Sequence, residues 1–488
     1  MYIDFDIRLL ILVVLLFSSA IFMVIFRKNA LIAYIALWLF IPNRLDNFIG
    51  IEGIPLYTFV EVLSACMLLI FALLYSGKGK NNFEMSKSSI LTINLEKKIV
   101  YFFAFILFFQ LIISIIISNF YLTISEIPSG HFIQNFVREF AAIIFFFSCI
   151  KLLRTQKQVE RVLYAFVVSV IFLTIELAIV WLTGIDSFSF DKQFNFNSVF
   201  FNNWTTVSII SLMGFFSGFY FYRQYQNRYW LLVCALGLLI SFISLSRTSI
   251  LAAGVGFAVL IYVEFYLNWS RVKRFMFIFF TIITMSSIYF NIDRIESMVF
   301  KDKTVLSGSS TLLDQGEYLN RRLQLYARTD SLYVRLGIQL RAYEVIKELF
   351  PFGTGVNMLR YYMPSDIDRG QLFQSSNSIS QGYRSVAFNN KITESHNGYI
   401  EQIASYGVLG IISLAVLFGA FIHNFRTLKR HMIERTSLFS FALGVSTMFL
   451  IFYIFLGYPR IYIPIFFTLH LSFLLVSFLK SKKENQLV

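Results

Sequence analysis

Long apolar runs alternate with short polar segments along most of the chain. A helix that crosses a bilayer needs about 20 mostly apolar residues, and the runs approach or exceed that length. They predict spans at 7–26, 30–48, 58–76, 99–119, 133–152, 161–184, 200–222, 229–245, 248–268, 274–292, 396–423, 436–457 and 461–479. The second span is weak because Pro42, Asn43 and Arg44 interrupt it. The pattern therefore predicts an all-α integral membrane protein with 12 or 13 transmembrane helices.

One long hydrophilic segment, residues 293–394, separates the last three spans from the others. Residues 331–349 within it have apolar side chains at helical spacing, namely Leu332, Leu336, Leu340, Tyr343 and Ile346. This spacing predicts a short amphipathic helix that lies on the membrane or on the bundle. We divide the chain into an N-terminal bundle (1–292), an outer loop (293–395) and C-terminal helices (396–488), which form one membrane domain.

The composition agrees with a membrane protein. The chain is 57% hydrophobic and 14% charged, which is too little charge to cover the surface of a soluble domain of this length. The net charge of +14 does not indicate nucleic acid, because the basic residues lie in short loops between apolar runs. Cys66, Cys149 and Cys234 all fall inside apolar runs, so we expect packing residues and no disulfide framework.

The distribution of Lys and Arg predicts the orientation. If residues 77–98 are cytoplasmic, alternation of the spans places 23 basic residues in short loops and ends on that side. The opposite short loops hold four, namely Arg44, Lys192, Arg247 and Arg460. Since cytoplasmic loops carry an excess of Lys and Arg, residues 293–394 are expected outside, in the periplasm or the extracellular space.

A few ionisable residues fall inside the predicted spans. Each costs about 2.5–3.5 kcal/mol on insertion scales and is therefore a candidate for function. They are Glu61, Arg138, Glu139, Glu176, Arg247 and Glu401. In the predicted orientation five ionisable residues lie in the outer half of the membrane, namely Glu61, Arg138, Arg247, Glu401 and also His396 at a helix start, and Glu176 is nearer the outer end of its span. This shared depth favours a polar cavity that opens outward. The alternative is that each side chain reaches its own interface separately.

Two short segments carry the strongest candidates for chemistry. Arg247 lies among hydroxyl residues in a tight turn between two helices, where a guanidinium and helix-end amides suit a phosphate. The alternative partner is the headgroup of an ordinary lipid. His396 begins a helix directly after the outer loop, where a neutral imidazole can accept a proton near pH 7. A cap or interface role is the alternative for His396. Gly407 and Gly410 would let another helix approach closely.

Three sequence elements resemble the O-antigen ligase and polymerase superfamily of bacterial surface-glycan enzymes. The first is His396-Asn397, nine residues, then Gly407-x-x-Gly410, which resembles the family's hallmark. The second is Ser244-Leu-Ser246-Arg247-Thr248, which is similar to an outer-turn element of the family. The third is Arg335-Leu-Gly followed by Pro351-Phe-Gly353-Thr-Gly355, which resembles the family's Arg-rich helix ending in Gly-x-Gly. The resemblance covers about residues 200–425. It departs from the family near Gln339 and Leu340, where relatives often have Trp, and at Pro351, which is shifted by one position.

The resemblance implies a glycosyltransferase at the outer face of the bacterial inner membrane. The donor would be an oligosaccharide on undecaprenyl diphosphate. The acceptor would be another lipid-linked repeat unit for an O-antigen or capsule polymerase, or lipid A-core for a ligase. The reaction would invert the anomeric centre in one displacement, without a metal or cofactor. A chain-length regulator protein is a further partner to test.

The same resemblance implies roles for individual residues. His396 would be the catalytic base, and Arg247 and Arg335 would hold the diphosphate. Asn397, Glu401, Arg138 and Glu61 are candidate supporting residues. Asp366 and Asp368 could form a metal-binding pair, but their segment has mixed charge and no period, so no metal site is predicted.

Two other classes of protein remain to be weighed. A flippase for lipid-linked sugars would also have 12 to 14 helices and intramembrane charges. Transporters usually show repeat symmetry and midplane sites on broken helices, and neither is predicted from this sequence. A membrane scaffold without chemistry would leave the intramembrane charges and His396 unexplained.

Overall fold

The computed structural model describes scattered positions between 14 and 35 and then most of the helical bundle. The continuous described ranges are 50–51, 54–76, 87–120, 131–183, 204–243, 247–264, 342–356, 397–431, 437–455 and 462–485, together with residues 339 and 359. All structural statements below concern these residues.

Long helices make up nearly all of this part of the chain. They are α1 Leu56–Ser76, α2 Lys87–Phe120, α3 His131–Leu152, α4 Gln156–Thr183, α5 Trp204–Tyr225, α6 Tyr229–Ile243 and α7 Arg247–Glu264, then α8 at 342–349, α9 Gly398–His431, α10 Ser437–Phe455 and α11 Tyr462–Asn485. Two short antiparallel strands, β1 Gly50–Ile51 and β2 Ile54–Pro55, pair Gly50 with Pro55 and lead into α1.

The predicted all-α membrane fold is confirmed. Ten of the thirteen predicted spans coincide with described helices, whereas 274–292 lies outside the described residues and the first two spans are described only in part. Asn94–Ile116, Gln156–Ile179 and Gly398–Leu428 are long and apolar enough to cross a membrane, and five shorter apolar helices accompany them. Several ends differ from the prediction. Helix α2 begins at Lys87, and α9 and α11 continue through polar residues, because Lys, Arg and Glu are good helix formers beyond the bilayer.

Helix α11 lies at the centre of the C-terminal half of the bundle. It packs against α2, α3, α9 and α10, and every residue from 463 to 477 is buried. A helix that is apolar on all sides is expected in such a position. Cys149 and Cys234 are also buried, as expected of packing residues, whereas Cys66 is exposed; all three cysteines are free.

Buried polar side chains of α2 lie in two layers. Glu96 contacts His470 of α11 at one end of the bundle, and Gln110 contacts the backbone of α9 nearer the other end. The 14 residues between them correspond to about 21 Å of helix, which is most of the hydrocarbon thickness of a bilayer. We call the end with Glu96, Lys97, Lys98, Lys151 and Arg154 the basic end.

Candidate functional site

Helix α9 is broken at Gly407, the tenth of its 34 residues. Gly407 has φ 56° and ψ −132°, a conformation outside the helical region that side chains with a Cβ rarely adopt. The sequence predicts no midplane site on a broken helix, and it does not indicate this break. The break separates a short first half, which begins at Gly398, from the long second half that ends at His431.

The outer loop fills this break. The backbone N–H groups of Thr354 and Gly355 donate to the carbonyl oxygens of Ala404 (2.9 Å) and Ser405 (2.8 Å). The Val408 N–H donates in turn to the Pro351 carbonyl oxygen at 2.8 Å. These bonds satisfy backbone groups that a broken helix within a bilayer would otherwise leave without partners. Residues 351–356 and the break at Gly407 thus form one backbone junction, which we call the loop–helix junction.

Glycine is required on both sides of the junction. A Cβ on Gly407 would lie 2.0 Å from the Pro351 carbonyl oxygen, and one on Gly353 would lie 2.6 Å from the Gly407 nitrogen. A Cβ on Gly355 would lie 2.3 Å from Ser114 Oγ. All three glycines also have positive φ. The Gly-x-Gly element therefore meets Gly407, the first glycine of the Gly-x-x-Gly element, whereas a Cβ on Gly410 would meet the Gln402 carbonyl oxygen of the same helix. The close approach predicted at Gly407 does occur, but the partner is the loop and not another helix.

Helix α2 completes the junction with two polar side chains. Gln110 Nε2 donates to the carbonyl oxygens of Tyr406 (3.2 Å) and Phe352 (3.4 Å), and so bridges the helix and the loop. The Val356 N–H donates to Ser114 Oγ at 2.7 Å. Sequence reasoning missed Gln110 and Ser114 because it considered only ionisable groups. A glutamine in the middle of an apolar span was the available signal, since polar groups inside the membrane are costly.

Acidic and aromatic side chains surround the same break. The Tyr406 hydroxyl donates a hydrogen bond to the Glu139 carboxylate of α3, and the Glu139 and Glu401 charges lie close enough to interact. Tyr453 of α10 donates to Gln402 Oε1 at 3.1 Å. Helices α3, α9 and α10, which are far apart in sequence, therefore place polar groups in one layer.

A small internal cavity adjoins this layer. Its volume is about 20 Å³, and its polar lining consists of Glu139, Gln402 and Tyr406. This space suffices for one water molecule. Among the described residues, Gln110 Oε1 and Ser405 Oγ are buried oxygens without a hydrogen-bond partner. A water molecule in the cavity would contact Glu139, Gln402 and Tyr406, whereas Gln110 and Ser405 do not line it.

Asn397 caps the first half of α9. Its Oδ1 accepts from the N–H groups of Tyr399 (3.1 Å) and Ile400 (3.2 Å), as an N-cap side chain does. Glu401 is buried one turn further on, and a carboxylate near a helix N-terminus is stabilised by the helix dipole. The cap fixes the direction in which the chain enters α9 immediately after residue 396.

The predicted amphipathic helix of the loop is present as α8. Ala342 and Val345 are buried against Leu359 and against Ala404 of α9, so the helix lies on the bundle. Of the predicted apolar face, Ile346 packs against this cluster, whereas Tyr343 is exposed. Leu332, Leu336 and Leu340 lie outside the described residues. Lys347 contacts the Tyr343 ring at 4.5 Å and pairs with Glu344, which raises the pKa of Lys347 through a hydrogen bond.

The structure describes some of the predicted site residues. Arg138 is buried in α3, next to Glu139, and Glu176 is buried in α4. His396, Arg335, Asp366 and Asp368 lie outside the described residues. Arg247 is the first residue of α7, at the predicted turn after α6, and Glu61 lies in α1, but the side chains of both are outside the description. Among the described side chains, no group of three His, Cys, Asp or Glu could hold a metal ion.

Comparison with known proteins agrees with this geometry. Residues 232–415, somewhat more than a third of the chain, match the family model described as O-Antigen ligase. No curated protein and no solved structure matches the chain. The matched region runs from α6 through the start of α7 and the outer loop to the break in α9, and so contains every element that carried the resemblance. Residues 232–415 of this chain are therefore similar to the O-antigen ligase family, in agreement with the resemblance of the three sequence elements to the O-antigen ligase and polymerase superfamily.

Proposed function

We propose that this protein transfers an oligosaccharide from undecaprenyl diphosphate to a glycan acceptor at the extracytoplasmic face of the bacterial inner membrane. The family match indicates an enzyme of the O-antigen ligase or polymerase type, with lipid-linked glycans as substrates. The observation that carries the proposal is the loop–helix junction. It joins the two glycine elements of the matched region directly after the capped start of α9, where His396 precedes Asn397.

His396 acts as the general base in this proposal. It accepts the proton of the acceptor hydroxyl while that oxygen attacks the anomeric carbon of the donor sugar. The new glycosidic bond forms as the bond from the anomeric carbon to the diphosphate oxygen breaks, and the diphosphate departs with the electron pair. A positioned base contributes about 10²–10⁴-fold to such a step. The Asn397 cap supports this role because it orients the backbone next to His396.

Arg247 and Arg335 hold the diphosphate leaving group. Negative charge grows on this group in the transition state, where fixed cations stabilise it most effectively. Arg247 begins α7, and a helix N-terminus adds backbone donors that favour a phosphate. Two guanidinium groups can take the place of a divalent ion, so the proposed reaction uses no metal or cofactor. A single displacement inverts the anomeric centre.

The buried polar layer helps to position the proposed site. Glu139, Tyr406 and Gln110 hold the first half of α9 against α3 and α2, and thereby keep the start of α9 in position. Arg138, Glu401 and Glu61 are proposed as supporting residues because they lie on the helices that form this layer or pack beside it. A broken helix also occurs in transporters, but here the loop and Gln110 occupy the backbone groups near the break. This observation favours an enzyme over a flippase.

The proposed acceptor is a second lipid-linked repeat unit, which makes the protein an O-antigen or capsule polymerase that a chain-length regulator could control. A ligase that uses lipid A-core is the second candidate, since the same site chemistry serves both acceptors.

Gene deletion with complementation tests the function. The strain is rescued with the wild type, His396→Ala, Arg247→Ala or the control Arg228→Ala, which removes an exposed arginine from the turn between α5 and α6. Surface glycan is then separated on a gel, and protein abundance in the membrane is measured for each variant. Single repeat units on the core identify a polymerase, and bare core with accumulated lipid-linked polymer identifies a ligase. Donor trapped in the cytoplasmic leaflet identifies a flippase, and normal glycan with His396→Ala contradicts the catalytic assignment.

A further inference from the structure

A groove of about 520 Å³ lies at the basic end, far from the loop–helix junction. It opens between α2, α9 and α11, and we call it the basic-end groove. Its lining residues are Thr92, Asn94, Leu95, Lys97, Lys98, Tyr101, His423, Asn424, Phe473 and Val476. The volume falls within the range of roughly 300–1,000 Å³ that is usual for small-molecule sites.

The groove carries positive charge without compensation from its own walls. Lys97 and Lys98 are the charged residues among its lining side chains, and none of these described residues is acidic. The charges of Lys97 and Arg154 also act on Lys151, so further cations lie beside the groove. A dianionic or monoanionic phosphate group would complement this field.

Glu96, which precedes Lys97 in α2, does not cancel that charge. Nε2 of His470 lies 2.9 Å from the Leu153 carbonyl oxygen, which can only accept, so this nitrogen carries a hydrogen. Nδ1 lies 2.8 Å from Glu96 Oε1 and must share one proton with it. Whether that proton resides on the ring or on the carboxylate, the pair is neutral as a whole. The positive charge of the lysines therefore stays available to an anion in the groove.

The side chains that line the groove also fit a lipid better than a free anion. Leu95 and Tyr101 are exposed on α2, and Phe473 and Val476 of α11, which are largely buried, line the groove. Asn424 lies on the α9 side, where its Nδ2 donates to Ser472 at 2.9 Å and so keeps the amide oriented. Cationic, amide and apolar surfaces thus adjoin one another, as a molecule with a phosphate headgroup and acyl chains requires.

We propose that the basic-end groove binds the headgroup of an anionic phospholipid. The ammonium groups of Lys97 and Lys98 contact its phosphate, and the acyl chains lie along the exposed face of α2. Basic pockets between transmembrane helices on the cytoplasmic side bind such headgroups. Bound lipid would hold α2, α9 and α11 together at the end opposite the proposed glycan site. The proposal does not depend on the reaction proposed above.

The test uses the full chain, purified and placed in nanodiscs of phosphatidylcholine with or without phosphatidylglycerol. The variant Lys97→Gln/Lys98→Gln removes two charges from the groove. The control Lys157→Gln/Arg228→Gln removes two exposed charges from the α4 and α5–α6 segments outside it. Lipid retention is measured by native mass spectrometry, and the unfolding temperature is measured in parallel. A further arm adds inorganic phosphate or glycerol 3-phosphate to the phosphatidylcholine nanodiscs.

The wild type and the control should retain phosphatidylglycerol and gain thermal stability from it. The groove variant should bind the lipid more weakly, by roughly 5-fold per lysine and about 25-fold for both. If the control variant lost as much lipid binding as the groove variant, the effect would come from general surface charge, and the proposal would be overturned. If phosphate or glycerol 3-phosphate stabilised the wild type as much as phosphatidylglycerol does, the ligand of the groove would be a soluble anion, and the proposal would be overturned. No preference for phosphatidylglycerol in the wild type would also overturn it.

Discussion

The substitution Gly407→Ala tests the loop–helix junction most sharply. Gly407 has φ 56°, and an added Cβ would lie 2.0 Å from the Pro351 carbonyl oxygen. If the junction stays closed, the alanine is held in a strained conformation at a cost of about 1–3 kcal/mol, in addition to the overlap. If the junction opens, three backbone hydrogen bonds are lost, at about 0.5–1.5 kcal/mol each. Either way, we expect the free energy of unfolding to fall by about 2–4 kcal/mol.

Gly419→Ala is the matched control in the same helix. Nothing lies within 4 Å of a Cβ built on Gly419, and its φ is not positive. Alanine in a helix interior is more favourable than glycine by up to about 1 kcal/mol, so this variant should be as stable as the wild type or slightly more stable. The two variants differ from the wild type by the same methyl group, which isolates the effect of position.

Thermal unfolding of the purified protein in detergent measures the difference. Limited proteolysis of the outer loop gives a second readout, because an open junction releases the segment at 351–356. Gly407→Ala should unfold at a lower temperature than Gly419→Ala and should be cleaved faster in the loop. Equal unfolding temperatures and equal cleavage rates would show that the backbone contact between the loop and α9 does not form.

Three further substitutions test other parts of the account. Gln110→Leu removes the donor to the Tyr406 and Phe352 carbonyl oxygens and should lower the free energy of unfolding by about 1–3 kcal/mol. Thermal unfolding measures the loss, and an unchanged melting temperature would contradict the bridging role of Gln110. Asn397→Ala should cost about 0.5–2 kcal/mol through loss of the cap, whereas Asn397→Asp should retain most of the stability; equal losses would refute a capping role. His470→Ala leaves Glu96 buried without its partner and should cost about 3–5 kcal/mol, so a stable His470→Ala variant would show that the pair does not form.

Most of the bundle was predictable from hydropathy, because a bilayer sets the length of each span. Helix ends were less predictable. Helix α2 begins at Lys87 instead of near residue 99, since hydropathy marks where the apolar residues begin and not where helical hydrogen bonds begin. On α8 the prediction failed for Tyr343, because the small residues Ala342 and Val345 lie against α9 and leave Tyr343 exposed.

The candidate site was predictable only in part. Glu139 and Glu401 were among the intramembrane charges that the sequence singled out, and the glycine elements marked the segments that meet. The junction itself depends on backbone contacts between residues far apart in the chain, so no local pattern indicates it. Gln110 was missed because its role comes from carbonyl groups of other segments, which sequence spacing does not reveal.

Paired cysteines at positions 396 and 247 test the central claim most directly. His396→Cys and Arg247→Cys are introduced together after Cys66, Cys149 and Cys234 have been replaced by serine or alanine. Intact cells are then treated with a membrane-impermeant thiol reagent or a short bifunctional crosslinker. We predict that the impermeant reagent labels both positions from outside and that the crosslinker joins them. Labelling of position 396 only after the cytoplasm is opened, or no crosslink between the two cysteines, would contradict a shared pocket at the outer face.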